Sequence, residues 1–549
     1  MDFYPPLNLD QIFDKTINDF ALTKFGFAKS LTKSKSHVKI VAKHSNENFV
    51  KSKSLCQSSP IRILRKLGLN ERIFHGISDT NRSYIYRTVI INTKINLFKN
   101  TPVIFKSIDE WKSMHPLLRC RVFTANDKYF AYASEETIKS NSNVNLYRYQ
   151  SNHVTSCDDI WKLLVEREMT LPLNGRNGLL WRLTFFHVKT VAKSDMEEFY
   201  YAVILTFDHS IMDGRSSYSS LLQLFSLIEN NYSKIENKII EKPLLPAKED
   251  LFKPIFNEKF QIDYYSKRPD FLVASNSDAY IRLKKLTCEE EAKGVVYSHE
   301  NFPVTTVKEL IQISKENNSK FRSLVIQKTD FDRIIQKCKE NKVKITMFLN
   351  MCLVQAVRLL YEKFDDELNY LIQEPVIHFA TNISLREFEE YTNQSKDKNE
   401  TIGCYISLAF SSYDMPMSYG TRNWEHNFWS LCQNETEMFH SRLKNREFIH
   451  SIRLPNKKKN FDEFFYHFGN SNLGILDSSI SEKKLIRVKQ TFATCKFSKE
   501  NSLCWFTNLM ATIDSQLCWT ISFNSCFISQ EMIGLLIDNL TQIIKQLIK

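Results

Sequence analysis

Glycine is scarce in this chain, with 12 glycines in 549 residues. Phosphate-binding loops depend on closely spaced glycines, which let backbone amides approach the phosphates. Neither Gly-x-Gly-x-x-Gly nor Gly-x-x-x-x-Gly-Lys-Ser/Thr occurs in the sequence. The sequence therefore argues against a protein that hydrolyses nucleotides through such a loop.

Long apolar runs and paired cysteines are also lacking. No apolar stretch approaches the ~20 residues that a membrane span requires. The 12 cysteines are scattered without a Cys-x-x-Cys pair, so we interpret them as free, mostly buried thiols of a reducing compartment. We assign no residue to a metal site. The first twenty residues contain four aspartates and no arginine, which disfavours a secretory signal or a mitochondrial presequence. We expect a cytoplasmic protein, with peripheral contact to a membrane surface left open.

The charge balance gives only a weak indication of a partner. The 74 basic and 62 acidic residues leave a net charge of +12, a modest excess over a large surface. Lysine clusters at 457–459 and 483–484 fit solvated loops better than phosphate ligands. Aromatic and basic residues do not interleave, so no nucleic-acid partner is predicted.

The segment that indicates chemistry is YYAVILTFDHSIMDG, residues 200–214. Its β-forming apolar residues, 200–207, predict a buried strand, and helical spacing resumes over residues 215–228. Gly214 permits a backbone turn that other residues resist. His209 thus lies on a loop between a strand and a helix, where imidazole can act as a general base near neutral pH. The alternative is a buried histidine that only completes hydrogen bonds at the strand end.

A bare His-x-x-x-Asp pattern has little weight, since about 0.6 copies are expected by chance in this composition; the following glycine lowers that number to about 0.01. A second copy begins at His75, but Thr80 replaces the glycine and no strong apolar run precedes it. We therefore assign the catalytic role to His209 and treat the His75 copy as chance. Asp213 is poorly placed to share a proton with His209, and we predict that it braces the loop by pairing with an arginine.

Four further segments carry a resemblance to a known superfamily. They are HPLLRCRV at 115–122, GLLWRL at 178–183, NISLR at 382–386 and GNSNLG at 469–474. With the His209 motif, they occur in the order found in the acyl-CoA-dependent acyltransferases that share the chloramphenicol acetyltransferase fold. That superfamily includes alcohol acyltransferases and the condensation domains of peptide synthetases. The resemblance covers about residues 60–549.

The resemblance implies a fold class and an activity. The fold is α/β, with two chloramphenicol acetyltransferase-like α/β sandwich subdomains that face each other across a central tunnel. The activity is acyl transfer from acyl-CoA, a co-substrate and not a bound cofactor, to a small alcohol or amine acceptor. His209 would be the general base, and we expect the enzyme to be a monomer.

The resemblance also nominates residues around the base. Arg119 is its candidate for the partner of Asp213, and Gly214 would support the turn. Ser471 and Asn472 are hypothetical hydrogen-bond donors or tunnel-lining residues that approach the histidine from the second half of the chain. An equal alternative for these two is a turn whose side chains cap the backbone.

Two departures from the superfamily's patterns narrow the prediction. Asp208 stands where condensation domains carry the first of two histidines, and the Asp-Phe-Gly-Trp-Gly segment of plant acyltransferases is absent. The chain therefore resembles alcohol acetyltransferases and lipid-ester synthases more than a condensation enzyme that uses a carrier-protein thioester, which leaves the acceptor open. A catalytically silent binding protein of the same fold is the third alternative, which the intact His209 motif disfavours.

Composition and periodicity divide the chain into four parts. They are a mobile basic extension at 1–59, an N-terminal half with the histidine motif at 60–240, a proline-containing crossover at 241–320 and a C-terminal half at 321–549. Strands are predicted near 85–91, 121–123, 200–207 and 517–524. Helices are predicted near 101–114, 157–169, 331–340, 346–364 and 530–547.

Overall fold

A computed structural model describes part of the chain. The described residues are 39–41, 48–51, 61–76, 83–150, 160–173, 178–193, 196–252, 295–298, 305–363, 376–395, 401–414, 419–420, 422–449, 466–478, 485–497, 504–525 and 528–549. The chain forms two compact units, Met1–Arg65 and Lys66–Lys549.

The first unit contains antiparallel strands. They are β1 (Lys39–Val41), β2 (Asn48–Lys51) and β3 (Ile61–Lys66), of which the last ends at the unit boundary. Most of the predicted extension at 1–59 lies outside the described residues, so its predicted mobility stays a prediction.

The second unit mixes strands and helices. Its described strands are β4 (Tyr84–Thr93), β5 (Cys120–Thr124), β6 (Lys128–Tyr132), β7 (Val144–Gln150), β8 (Trp181–Lys193), β9 (Met196–Asp208), β10 (Val295–Ser298), β11 (Thr305–Thr306), β12 (Ser319–Ile326), β13 (Val376–Ser384), β14 (Ile406–Asp414), β15 (Phe468–Ile475), β16 (Ile486–Cys495), β17 (Phe506–Ile513) and β18 (Gln516–Asn524). Its described α-helices are α1 (Leu69–His75), α2 (Thr101–Met114), α3 (Glu135–Lys139), α4 (Ile160–Thr170), α5 (Gly214–Tyr232), α6 (Lys248–Leu251), α7 (Val307–Glu316), α8 (Lys328–Glu340), α9 (Ile345–Lys363), α10 (Glu389–Thr392), α11 (Trp424–Lys444) and α12 (Gln530–Leu547). Short 3-10 helices occur at Leu97–Lys99, Pro116–Arg119 and Leu385–Glu387.

One sheet carries the histidine motif. Its strand order is β11-β10-β7-β8-β9-β4-β16, with β9 antiparallel to both β8 and β4. Helices α2 and α5 pack against each other, and α5 contacts β4 and β16. Helices α4 and α7 form a second pair, in which α4 contacts β4, β8 and β9. Helices thus cover the sheet, and the second part of β9, residues 201–208, is buried and mostly apolar. Strand β16 comes from late in the chain and pairs antiparallel with β4, so strands from both halves of the sequence share this sheet.

The second large sheet has the order β12-β18-β17-β15-β13-β14. Helices α9 and α12 pack together over it around an apolar core that includes Phe348, Trp519 and Leu536. By length and composition alone, α9 would suffice to cross a membrane, yet 72% of its apolar window is buried inside the protein. Its apolar residues are therefore accounted for by the core.

Several sequence predictions are confirmed by these elements. The helices predicted at 101–114 and 530–547 are α2 and α12, and the predicted strand at 200–207 is part of β9. The two helices each bury one apolar face, whereas the strand was predicted from a continuous apolar run. The cysteines in the described residues are free, and all of them except the half-buried Cys495 are buried.

Candidate active site

The turn after β9 places His209 just beyond the end of a central strand of the sheet that carries the histidine motif. The amide of Asp208 donates to the carbonyl of Leu180 at 2.9 Å, and the amide of His209 donates to the carbonyl of Ser83 at 2.9 Å. These hydrogen bonds hold both residues beside the neighbouring strands. The chain then turns, and α5 begins at Gly214. The predicted order of strand, loop and helix is confirmed.

The hydrogen bonds of the His209 ring determine which nitrogen is basic. Nδ1 lies 2.8 Å from the carbonyl oxygen of Met212, and a carbonyl oxygen only accepts, so Nδ1 carries the proton and donates. Nε2 then holds the free lone pair that a general base needs. Phe74 stacks on the ring, with centroids 4.3 Å apart and planes 17° apart. The Cys404 sulfur lies 3.8 Å from Nδ1.

The surroundings of His209 keep its ring neutral. Burial lowers the pKa of the half-buried His209, because an apolar environment disfavours the imidazolium. The hydrogen bond to Met212 and the charge of Asp213 act in the opposite direction, and Lys248 adds to the lowering. The net direction is downward, so at neutral pH the ring is in the form that accepts a proton.

Asp213 braces the turn and is fully engaged elsewhere. Its Oδ1 accepts the amide of Ser216 at 2.7 Å, which caps α5, and its own amide donates to the Ser216 hydroxyl at 3.0 Å. Its Oδ2 accepts the guanidinium of Arg386 at 2.9 and 3.2 Å and the amide of Tyr405 at 3.0 Å. Burial raises the pKa of Asp213, but Arg386 and these amides outweigh it and hold the pKa below its usual value.

The nomination of Arg119 as the partner of Asp213 is wrong. Arg119 ends the 3-10 helix Pro116–Arg119 and pairs with the exposed carboxylate of Glu241. The arginine that pairs with Asp213 is Arg386, at the end of the NISLR segment, and its side chain is completely buried. The sequence offers two Leu-Arg dipeptides, at 118–119 and 385–386. Only the fold shows that the second one faces the turn.

A loop from the second half of the chain closes the brace. The carbonyl of Gly403 accepts hydrogen bonds from the Asp213 amide, the Ser216 hydroxyl and the Arg386 guanidinium, each at 3.0 Å. A β-carbon at Gly403 would lie 2.3 Å from the Tyr405 ring, so a larger residue would displace that ring. The loop around Gly403 has neither apolar periodicity nor a charged motif, so local sequence patterns do not predict its role.

The GNSNLG segment also reaches the turn, through one residue in particular. Leu473 lies against Gly214, where a β-carbon would be 3.1 Å from Leu473 Cδ2, and its carbonyl lies 3.5 Å from the Arg215 guanidinium. Asn472 donates to the Thr346 hydroxyl at 3.1 Å and accepts the amide of Gly474 at 2.9 Å. Asn472 therefore makes the contacts expected of the alternative stated above, a turn whose side chains cap the backbone.

Ser471 lines a small recess beside the same turn. The recess is also lined by Arg87, Leu473, Thr491 and Met510. Arg87 is buried and donates to the carbonyl of Gly214 at 3.1 Å. Burial lowers the pKa of Arg87 to about 10, so the guanidinium stays charged at neutral pH and adds positive charge near the turn.

His75, which begins the second copy of the motif, lies next to the His209 motif in the structure. His75 Nδ1 lies 2.8 Å from Asp208 Oδ2, and both side chains are buried. Asp79, the other end of the second His-x-x-x-Asp copy, lies outside the described residues. His75 therefore contacts the residue that precedes His209, and it does so as part of α1.

The arrangement supports proton transfer at one nitrogen. His209 has a fixed tautomer, a stacked ring and a turn held by a buried ion pair, and these features hold its basic nitrogen in one direction. Within the described part of the chain, His, Cys, Asp and Glu form no group of three or more that would hold a metal ion.

Comparison with known proteins identifies a family for this chain. The sequence profile of the family described as alcohol acetyltransferase matches residues 143–466, more than half of the chain, and the match includes His209 and Arg386. No curated protein matches the sequence.

Solved structures share the fold at low sequence identity. The TRI3 trichothecene 15-O-acetyltransferase from Fusarium sporotrichioides has a TM-score of 0.57 and 12% identity, over 93% of this chain and 98% of that one. Polyketide synthase associated protein 5 from Mycobacterium tuberculosis has a TM-score of 0.54 and 10% identity, over 88% and 98%. The EpoB cyclization-docking bidomain from Sorangium cellulosum has a TM-score of 0.53 and 8% identity, over 99% of both chains.

These comparisons confirm two sequence predictions. The fold is the two-subdomain chloramphenicol acetyltransferase-like α/β fold that acetyltransferases and condensation-type domains share. The resemblance to alcohol acetyltransferases, stated on short segments, agrees with the profile match. This chain belongs to the alcohol acetyltransferase family, and its general class is therefore that of an acyltransferase.

Proposed function

We propose that the protein transfers an acyl group from acyl-CoA to a small alcohol or amine, with His209 as the general base. The observation that carries the proposal is the hydrogen bond from His209 Nδ1 to the Met212 carbonyl, which leaves Nε2 as the proton acceptor. In this proposal acyl-CoA is a co-substrate, no cofactor is bound, and the enzyme is a cytoplasmic monomer.

The proposed reaction needs no covalent acyl-enzyme. His209 Nε2 accepts the proton of the acceptor's hydroxyl or amine while the acceptor's oxygen or nitrogen attacks the thioester carbonyl. The tetrahedral intermediate collapses, the carbon–sulfur bond breaks, and the imidazolium returns the proton to the coenzyme A thiolate. General-base help of this kind contributes about 10²–10⁴-fold in rate.

Stabilisation of the tetrahedral oxyanion is assigned to the recess beside the turn. Ser471 keeps its proposed role as a donor because it lines that recess. We assign no donor role to Asn472, whose amide and carbonyl groups already bind Thr346 and Gly474. Arg87 adds a buried positive charge near the same recess, and such a charge favours an oxyanion.

The two alternatives have less support. Condensation on a carrier-protein thioester would bring the paired histidines of that class, and here Asp208 fills the first position and binds His75. A silent binding protein would have no need for a histidine with a fixed tautomer and a buried brace. Both alternatives predict no coenzyme A release.

The proposal is tested by a coenzyme A release screen. Purified protein is incubated with acyl-CoAs of increasing chain length, each paired with small alcohols and amines, and free thiol is measured over time. We expect release that depends on both donor and acceptor, with formation of the ester or amide. Absence of release with every pair, while the protein is folded, would contradict the proposed donor and acceptor classes.

A further inference from the structure

Helix α1 ends in two adjacent residues that both contact the catalytic turn. His75 donates from Nδ1 to Asp208 Oδ2 at 2.8 Å, since a carboxylate only accepts. The other oxygen of Asp208 accepts the amide of Ser210 at 2.9 Å. The carboxylate therefore ties α1 to residues on both sides of His209.

The second contact reaches the histidine ring itself. Phe74 stacks on His209 at 4.3 Å between centroids. The Phe74 carbonyl accepts the amide of Ser83 at 2.8 Å, and the Ser83 carbonyl accepts the amide of His209 at 2.9 Å. The end of α1 thus holds the ring, the backbone and the preceding side chain of His209.

We infer that His75 is a positioning residue for His209, acting through Asp208 to hold the turn in which Nδ1 donates to Met212 and Nε2 faces the acceptor. The inference rests on the proposed function for its kinetic effect. Without a donor at position 75, the buried Asp208 carboxylate keeps its contacts with Ser210 but loses its partner on α1, and it draws in water or a proton. Either response loosens the turn, and small displacements of a catalytic base are costly in rate.

A pair of variants separates positioning from general stability. His75→Leu removes the donor, whereas His75→Gln keeps an amide that can donate to Asp208. We expect His75→Leu to lower kcat at least about tenfold while KM stays within about twofold, because the lost contact orients the base and binds no substrate. His75→Gln should recover most of that loss. His440→Leu, on the exposed face of α11, is the matched control. Wild-type kcat in His75→Leu, or equal kcat losses in both His75 variants, would overturn the inference.

A measurement that needs no turnover tests the same inference. Histidine labelled with ¹⁵N reports the tautomer of His209, identified by the signal that His209→Ala removes. We expect the Nδ1-protonated tautomer in the wild-type protein and a mixture with the Nε2-protonated form in His75→Leu, with His75→Gln close to wild type. An unchanged tautomer in His75→Leu would refute the positioning role whatever the enzyme transfers. A changed tautomer in a protein without turnover would support the positioning role and contradict the proposed function alone.

Discussion

At the scale of single residues, the environment of His209 determines how activity depends on pH. Burial lowers its pKa from the ordinary value of 6.5, and the neutral imidazole is the active form. Activity should therefore be complete above that value and be lost only as the pH falls through the lowered pKa. We predict that kcat/KM has an acidic limb with an apparent pKa below about 6.5. A limb at pH 7 or above, measured with a donor–acceptor pair from the screen, would contradict this environment for the base.

The buried pair of Asp213 and Arg386 predicts a large effect on stability. Both side chains are almost fully buried, and Asp213 Oδ2 lies 2.9 Å from the Arg386 guanidinium. Arg386→Ala leaves a buried carboxylate without its counter-charge, which typically costs about 3–5 kcal/mol. Urea unfolding should show a loss of this size in the free energy of unfolding.

Arg119 provides the matched control for that experiment. Its partner Glu241 is half exposed, and pairs of this kind contribute about 0–1 kcal/mol. Arg119→Ala should therefore change the free energy of unfolding far less than Arg386→Ala. Equal losses in the two variants would show that Arg386 is no more important to the fold than a surface arginine.

Residue types and short motifs identified part of the site from the sequence. His209, Asp213 and Gly214 were found because a strand, a turn and a helix meet at them. Arg386 was within a quoted segment but received no role, since nothing in the spacing of two Leu-Arg dipeptides shows which side chain is buried. The His75 copy of the motif lacks the glycine and the preceding strand, and the contact of His75 with Asp208, 133 positions away, could not be predicted from local patterns.

At the scale of elements, the start of α5 depends on its closeness to β15. A β-carbon at Gly214 would lie 3.1 Å from Leu473 Cδ2, which is closer than ordinary packing, and 3.4 Å from the Arg87 guanidinium, where ordinary contact begins. We predict that Gly214→Ala lowers both stability and turnover, because Leu473 must move. Leu473→Ala in the same chain should recover part of the loss, which thermal melting and coenzyme A release would measure.

Gly534 is the control for the Gly214 substitution. It lies inside α12, and apart from its chain neighbours and the backbone of its own helix, no atom of the described residues lies within 4 Å of the position that a β-carbon would take. Alanine stabilises an unstrained helix interior by about 0.5–1 kcal/mol relative to glycine. Gly534→Ala should therefore raise the melting temperature. A stabilising effect of both substitutions would mean that α5 does not pack closely against Leu473.

Long periodic elements were predictable, and short irregular ones were not. Helices α2 and α12 were predicted at their bounds because each carries an apolar stripe over several turns. Helix α1 is only seven residues long. Its residues Phe74 and His75 contact His209 and Asp208, which lie far away in the sequence, so no local pattern indicates them. The loop around Gly403 has no sequence pattern, since it contacts the turn through backbone groups, the Gly403 carbonyl and the Tyr405 amide.

At the scale of the whole molecule, sequence order and spatial order diverge. Strand β16, late in the chain, completes the sheet that carries His209, and Arg386 and Gly403 brace a turn that lies near residue 213. The length of the chain suggests two halves. Neither length nor composition shows which strands pair across the two halves, because strand pairing depends on contacts between residues far apart in the sequence. The resemblance to a two-subdomain family supplied what local patterns lacked.

The central claim is that His209 acts as the general base for acyl transfer. The most direct test measures the acylated product by mass spectrometry, with saturating donor and acceptor, for the wild-type protein, His209→Ala and His440→Ala. We expect His209→Ala to lose at least about 10²-fold in rate while its thermal unfolding stays close to wild type, and His440→Ala to keep full activity. Product formation by folded His209→Ala at the wild-type rate would contradict the account.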